Sequence, residues 1–138
     1  MKRKEPSYKY QYAMLLDDNE LDNFINQKTL EANYFANKIY VNTSSKSALE
    51  FLTNIETSVS EDFDIFPEII FIDINMPMID GFQFIENLKN TLPKRFQKLK
   101  VVILTSSLSS TDKEKSSKIS TGITFINKPL TKEALNQL

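Results

Sequence analysis

Carboxylate, hydroxyl and ammonium side chains stand at the ends of four short apolar runs. Asp17-Asp18 follows the first run, Asp73 ends "IIFID", Thr105 ends "VVILT", and Lys128 follows "ITFIN". If these runs are strands of one parallel sheet, their carboxyl ends share an edge, and that edge is where ligands bind in open α/β sheets. We therefore expect the five side chains to meet.

Three carboxylates at one edge repel one another, and the repulsion raises their pKa values unless a cation neutralises them. Oxygen ligands of this kind favour a hard ion, and Mg²⁺ with one or two carboxylates and several waters is the natural choice. A metal and a lysine offset the negative charge of phosphoryl oxygens, and a threonine hydroxyl donates a hydrogen bond to them. Aspartate is a known covalent phosphoryl acceptor. The set thus meets the needs of phosphoryl transfer.

Each residue also has a purely structural interpretation. Asp18 or Asn19 could cap the next helix, Asp73 could belong to the Asn-Met-Pro turn, Thr105 could be structural, and Lys128 could be a solvated surface charge. The joint occurrence at one predicted edge favours a common site over four unrelated explanations.

Composition excludes several other kinds of site. The chain of 138 residues has no cysteine and no histidine, which rules out disulfides, cysteine nucleophiles, Ser-His-Asp triads and the usual zinc sites. A net charge of -1 argues against direct binding to nucleic acid or to anionic membranes. No apolar run approaches the roughly 18 residues of a membrane span. We expect a cytoplasmic protein with a flexible tail over residues 1–8 and one domain over residues 9–138.

Apolar runs that alternate with amphipathic patterns predict five β-α units. The third and fourth runs are almost continuously hydrophobic, which is typical of strands covered on both faces. The expected architecture is α/β, a parallel sheet between two layers of helices joined by right-handed crossovers. The predicted strands are Tyr10–Leu16, Lys38–Val41, Glu68–Asp73, Lys100–Thr105 and Ile123–Asn127.

A helix is predicted after each strand. The first should run from about Glu20 to Ala36, the fourth should follow a Thr111 cap with Ile119 as its single apolar anchor, and Thr131 should cap the last. The residues predicted to face the core are Leu21, Phe24, Ile25 and Phe35 in the first helix, Ala48, Phe51, Leu52 and Ile55 in the second, and Phe84, Ile85 and Leu88 in the third.

Four segments together resemble the motifs of response-regulator receiver domains of two-component signalling. They are "LLDDNE", "FIDINMPMIDGF", "VVILTSS" and "INKPLT", and they occur in the family's order. The resemblance implies a flavodoxin-like fold with strand order 2-1-3-4-5. It also implies a regulatory phosphoacceptor rather than an enzyme, which receives its phosphoryl group from a histidine kinase or a histidine phosphotransfer protein and signals by a conformational change.

By that resemblance Asp73 is the phosphoacceptor. Asp18 and Asp73 would bind Mg²⁺ directly, the backbone carbonyl of Asn75 would be a third protein ligand, and Asp17 would act at the metal through water.

The same resemblance implies the remaining roles. Thr105 would hydrogen-bond the phosphoryl group, and Lys128 would pair with it beside a Lys-Pro bond that is cis in the family. Phe125 falls at the position of a switch aromatic. Asn75 and Ser107 fall at positions that tune the lifetime of the phosphoryl group.

Two other functions fit part of the pattern. One is a receiver-like interaction module that no longer takes phosphate. The other is a phosphatase of the haloacid-dehalogenase type, but in that class the acidic pair follows the nucleophile, whereas Asp17-Asp18 precedes Asp73. The fourth predicted helix departs from the family's usual apolar pattern, and this leaves the output surface open.

Overall fold

One parallel sheet of five strands organises the computed structural model, which describes residues 7–58, 64–76, 78–106, 112, 114 and 122–138. The strand order is β2-β1-β3-β4-β5, and every pairing is parallel. The predicted fold class and strand order are confirmed. The strands are β1 (Tyr10–Leu16), β2 (Ala36–Asn42), β3 (Ile69–Asp73), β4 (Lys100–Thr105) and β5 (Thr124–Asn127).

Five helices can be bounded in the described part of the chain. Asp112 and Glu114 are also helical, but the predicted helix after β4 otherwise lies outside the described residues. No helix among the described residues is long and apolar enough to cross a membrane. The helices are α1 (Glu20–Ala32), α2 (Ser45–Ser58), α3 (Gly81–Thr91), α4 (Pro93–Lys98) and α5 (Lys132–Asn136).

Successive residues of each central strand point to opposite faces of the sheet, and helices bury both faces. In β1, Met14 and Leu16 pack with α2, α3 and α4, whereas Ala13 and Leu15 pack on the side of α1 and α5. All five residues of β3 are buried. Each large apolar side chain buried in this way stabilises the fold by about 1.5–3 kcal/mol. This burial fixes the positions of the strand ends.

Local sequence signals explain where several helices begin. The Ser44 hydroxyl accepts a hydrogen bond from the Ser47 N–H at 3.1 Å before α2, and Thr131 accepts one from Ala134 at 3.1 Å before α5. Asp80 and Gln83 form a capping box before α3. The contact of Thr131 confirms the predicted cap of the last helix.

The predicted core face of the first helix is wrong. Leu21, Phe24 and Ile25 are 64%, 57% and 41% exposed, whereas the buried positions of α1 include Asn23 and Asn26. Hydrogen bonds, rather than apolar packing, explain why Asn23 and Asn26 are buried. The side-chain amide of Asn23 donates to the backbone carbonyl of Asp17 at 2.8 Å, and that of Asn26 accepts from the Leu130 N–H at 3.2 Å. Buried amides with such partners are tolerated in a core.

The first helix also ends earlier than predicted, at Ala32. Phe35 lies beyond it, immediately before β2, and its ring packs against that of Phe71 with centroids 5.8 Å apart. The short helix α4 was not predicted. Pro93 does follow the end of α3, but it also occupies the first turn of α4, where its missing N–H costs nothing.

Candidate functional site

The acidic pair lies directly after β1, and its first member is held firmly. The Asp17 N–H donates to the carbonyl of Asn42 at 3.2 Å, which continues the pairing of β1 with β2. The Asp17 carboxylate accepts from the Asn19 N–H at 2.9 Å, and its carbonyl accepts from Asn23. Asp17 is therefore buried and fixed in direction, while Asp18 is exposed to solvent.

Asp73 is the last residue of β3, and its carboxylate is buried. Burial and the nearby charge of Asp17 raise the pKa of Asp73, whereas Lys128 and a backbone hydrogen bond from Asn75 oppose that rise. The positive charge of Lys128 therefore favours the ionised form of this carboxylate.

The loop after Asp73 returns tightly to the strand. The Gly81 N–H donates to the Ile74 carbonyl at 3.0 Å, and a Cβ placed on Gly81 would lie 2.5 Å from the Asp73 carbonyl oxygen. The hydroxyl of Ser45 donates to the carbonyl of Ile79 at 2.9 Å and ties the same loop to α2. Glycine at position 81 thus lets α3 begin against the backbone of the site.

Lys128 follows β5 and brings a positive charge to the carboxylates. Its Nζ lies 2.6 Å from Asp17, 3.0 Å from Asp22 and 3.4 Å from Asp73. Burial lowers the pKa of Lys128, but the hydrogen bonds to Asp17 and Asp22 outweigh it, so the pKa stands above its ordinary value. The Lys128 N–H donates to the carbonyl of Thr105 at 2.9 Å, which places the ends of β4 and β5 side by side.

The geometry suits a divalent cation. Asp17, Asp18 and Asp73 each offer a carboxylate oxygen, and these oxygens lie within 4.8 Å of one another. The three carboxylates carry more negative charge than the single ammonium of Lys128 offsets, and an all-oxygen donor set of this size fits Mg²⁺. Thr105 is buried at the end of the neighbouring strand, one residue beyond the partner of Asp73 in β4.

A family profile described as the response regulator receiver domain matches residues 13–138. The chain belongs to the response regulator receiver family. A two-component response regulator from Cytophaga hutchinsonii is 31% identical, with a TM-score of 0.81 and coverage of 92% of both chains. The comparison with curated proteins gave no match.

Two further solved structures share the receiver fold at lower identity. A chemotaxis protein of Vibrio cholerae is 17% identical, with a TM-score of 0.69 and coverage of 93% of this chain and 94% of that one. The receiver domain of a histidine kinase from Arabidopsis thaliana, complexed with Mg²⁺, is 19% identical, with a TM-score of 0.74 and coverage of 86% and 83%. At these identities the likeness concerns the fold.

The structure brings together the predicted residues Asp17, Asp18, Asp73 and Lys128, and it places Thr105 at the end of the neighbouring strand β4. The Lys128–Pro129 peptide bond is cis, as the resemblance implies. The meeting of the carboxylates and Lys128 at one edge of the sheet follows from the strand order described above.

Of the other predicted residues, Asn75 adjoins the carboxylates, because its backbone N–H bonds the Asp73 carboxylate. Phe125 is half-buried in β5, opposite Ile103, and packs against the core on the side of α2, α3 and α4. Asn75 is exposed in the loop after β3. Ser107 lies outside the described residues.

Three residues of α1 that bond the predicted site residues or the backbone beside them were missed from the sequence. Asp22 bonds Lys128, Asn23 bonds the backbone of Asp17, and Asn26 bonds the backbone just after Lys128. The spacing of the two asparagines, three residues apart, places them on one helix face and is the signal that could have found them. An acidic residue in a first helical turn is common in any helix, so Asp22 carried no such signal.

Proposed function

We propose that this receiver accepts a phosphoryl group on Asp73 in a Mg²⁺-dependent phosphorelay and signals by the conformational change that follows. The donor is a histidine kinase or a histidine phosphotransfer protein, and the site of action is the cytoplasm. The observation that carries the proposal is the position of the buried Asp73 carboxylate, 3.4 Å from the Lys128 ammonium and within 4.8 Å of two further carboxylates.

The transfer joins an aspartate oxygen to phosphorus. A carboxylate oxygen of Asp73 attacks the phosphorus of a phosphohistidine, the P–O bond forms as the P–N bond breaks, and the imidazole leaves with the electron pair. Lys128 offsets charge on the phosphoryl oxygens, and the hydroxyl of Thr105 donates a hydrogen bond to one of them. This chemistry uses the groups that converge at the sheet edge.

Asp17, Asp18, Asp73 and the backbone carbonyl of Asn75 would hold Mg²⁺, with Asp17 acting through water. The ion supplies neutralising charge on the phosphoryl oxygens when it is bound. The cluster of three carboxylates supports this assignment, because its mutual repulsion is relieved by a hard divalent cation.

A phosphoryl group adds about two negative charges at the end of β3. Thr105 and Phe125 then move inward, and this movement shifts the population of the conformers that a downstream protein binds. The half-buried state of Phe125 leaves its ring a route from the surface toward the core. Asn75 and Ser107 tune how long the phosphoryl group survives.

The donor protein must cover the mouth of the pocket, and α1 offers an apolar surface there. Leu21, Phe24 and Ile25 are exposed on α1. Of these three, Ile25 lines a cavity of about 320 Å³, together with Asp22 of α1 and with Lys128 and Pro129 after β5. An apolar rim around a charged site favours a docked protein as the source of phosphate.

Phe24→Ser should slow transfer from a phosphorylated histidine protein and leave modification by acetyl phosphate unchanged.

The proposal is tested with acetyl phosphate and Mg²⁺, with intact-protein mass spectrometry as the readout. Wild type should gain the mass of one phosphoryl group, and chelation of the metal with EDTA should abolish the gain. Asp73→Asn should gain nothing, whereas Glu86→Gln, on the exposed side of α3, should behave as wild type. Equal modification of Asp73→Asn and wild type would place the acceptor elsewhere, and an unmodified wild type would favour a pure interaction module.

A further inference from the structure

Asp22 is a partner of Lys128 that neither the motifs nor the proposed chemistry uses. Its carboxylate lies 3.0 Å from the Lys128 Nζ, across 106 residues of sequence, and is nearer to the ammonium than Asp73 is at 3.4 Å. We propose that Asp22 is a positioning residue that holds Lys128 toward α1 and competes with a phosphoryl group on Asp73 for that ammonium. This inference rests on the proposed phosphoacceptor function.

A phosphoryl oxygen forms a strong charge-assisted hydrogen bond with an ammonium at about 2.7–2.9 Å. Any shift of Lys128 toward such an oxygen lengthens one of its two shorter contacts, with Asp17 or with Asp22. The Asp17 side chain is only 4% exposed, so water cannot replace the lost ammonium there without cost. The Asp22 side chain is 36% exposed and can be rehydrated. The contact with Asp22 is thus the one that Lys128 gives up.

The backbone around Asp22 keeps its carboxylate from following Lys128. The Asp22 N–H donates to the side chain of Asn19 at 3.0 Å, which fixes the first turn of α1. In a capping box the carboxylate at this position would bond the N–H of the cap residue, but the Asn19 N–H donates to Asp17 instead. The Asp22 carboxylate therefore does not bond the Asn19 N–H, and it contacts Lys128 from a fixed backbone position.

Loss of the competitor should strengthen the binding of a phosphoryl mimic. We expect Asp22→Asn to bind beryllofluoride, with saturating Mg²⁺, about two- to fivefold more tightly than wild type, the size of effect that a half-exposed ion pair produces. Binding is followed by ¹⁹F NMR titration of the full chain, and far-UV circular dichroism confirms that each variant is folded. The difference should shrink at high salt, because the pair is partly exposed.

Two variants separate this role from a general charge effect. Glu20→Gln removes a carboxylate from the same first turn but from an exposed position, and it should leave the affinity within experimental error of wild type. Asp22→Glu keeps a carboxylate and should return the affinity toward that of wild type. Equal gains from Asp22→Asn and Glu20→Gln would overturn the inference, because local charge alone would then explain them.

The outcomes also distinguish this inference from the proposed function. If wild type fails to bind beryllofluoride, the phosphoacceptor function is wrong. If wild type binds and Asp22→Asn binds equally well or more weakly, the phosphoacceptor stands and the competition does not.

Discussion

Gly81→Ala tests how closely the start of α3 is packed against the phosphoacceptor strand. In an ordinary helix this substitution stabilises the protein by about 0.5–1 kcal/mol, because alanine loses less backbone entropy on folding. Here the added Cβ would lie 2.5 Å from the Asp73 carbonyl oxygen and 3.0 Å from the Cα of Ile74. Both neighbours are backbone atoms, which cannot turn aside as a side chain can. Crowding should therefore outweigh helix propensity.

The structure sets the size of the effect. Carbon and carbonyl oxygen approach each other to about 3.3 Å in close packing, so α3 and the end of β3 must separate by about 0.8 Å. Overpacking of this kind costs about 1–3 kcal/mol, and subtraction of the gain in helix propensity leaves a net loss of about 1 kcal/mol at the midpoints of the two ranges. Because the displaced oxygen belongs to Asp73, beryllofluoride binding should also weaken by roughly tenfold, as expected for a sub-ångström misplacement of a reacting group.

Urea unfolding and ¹⁹F NMR titration with beryllofluoride measure the two quantities. Asp80→Ala is the matched control. It removes the carboxylate that accepts from the Gln83 N–H at 2.9 Å and costs about 1 kcal/mol as a lost helix cap, but it adds no atom near Asp73. We expect Asp80→Ala to lose stability and keep its affinity. A Gly81→Ala variant that is as stable as wild type, or that binds beryllofluoride equally well, would refute the crowding.

Three other predictions concern stability and ionisation. Asn26→Leu should destabilise the fold by about 1–3 kcal/mol in urea, because the buried Leu130 N–H loses its acceptor; unchanged stability would contradict this. Burial raises the pKa of Tyr40 above 10.0, so the free energy of unfolding should fall as pH rises past about 10, and absorbance titration of Tyr40→Phe should lack one late ionisation. Arg95→Gln breaks an ion pair of 2.7 Å with Asp64. The free energy of unfolding should fall by at most about 1 kcal/mol at low salt and by less in 1 M NaCl. An equal fall at both salt concentrations would point to lost packing instead.

The sheet could be predicted closely because its signal is local. The bounds of Tyr10–Leu16 and Lys100–Thr105 agree with the structure residue for residue, since most of each strand is a buried apolar run that polar residues follow. The order of the strands came with the family resemblance. Once the strands are placed, the meeting of Asp17, Asp73 and Lys128 at one edge follows from geometry.

The first helix was predicted poorly because its partners are distant in sequence. Nothing near Asn26 indicates that its amide will accept from Leu130, 104 residues away, or that Asp22 will reach Lys128 across 106. An apolarity count then selects Phe24 and its neighbours for the core, and they are on the surface. Tertiary hydrogen bonds override such a count, and although the spacing of the two asparagines marks a polar helix face, the sequence does not show which distant groups they bond.

The asparagines of α1 have a mechanical consequence. A helix that packs through apolar side chains alone can slide or roll over a sheet by small steps, because dispersion contacts have little directional preference. Hydrogen bonds are directional and weaken steeply when bent, so those of Asn23 and Asn26 resist rotation of α1 about its own axis. The exposed side chains of Leu21, Phe24 and Ile25 are therefore held at a fixed angle to the Asp73 carboxylate. In the proposed function, α1 thus sets the orientation of a docked donor protein relative to the pocket.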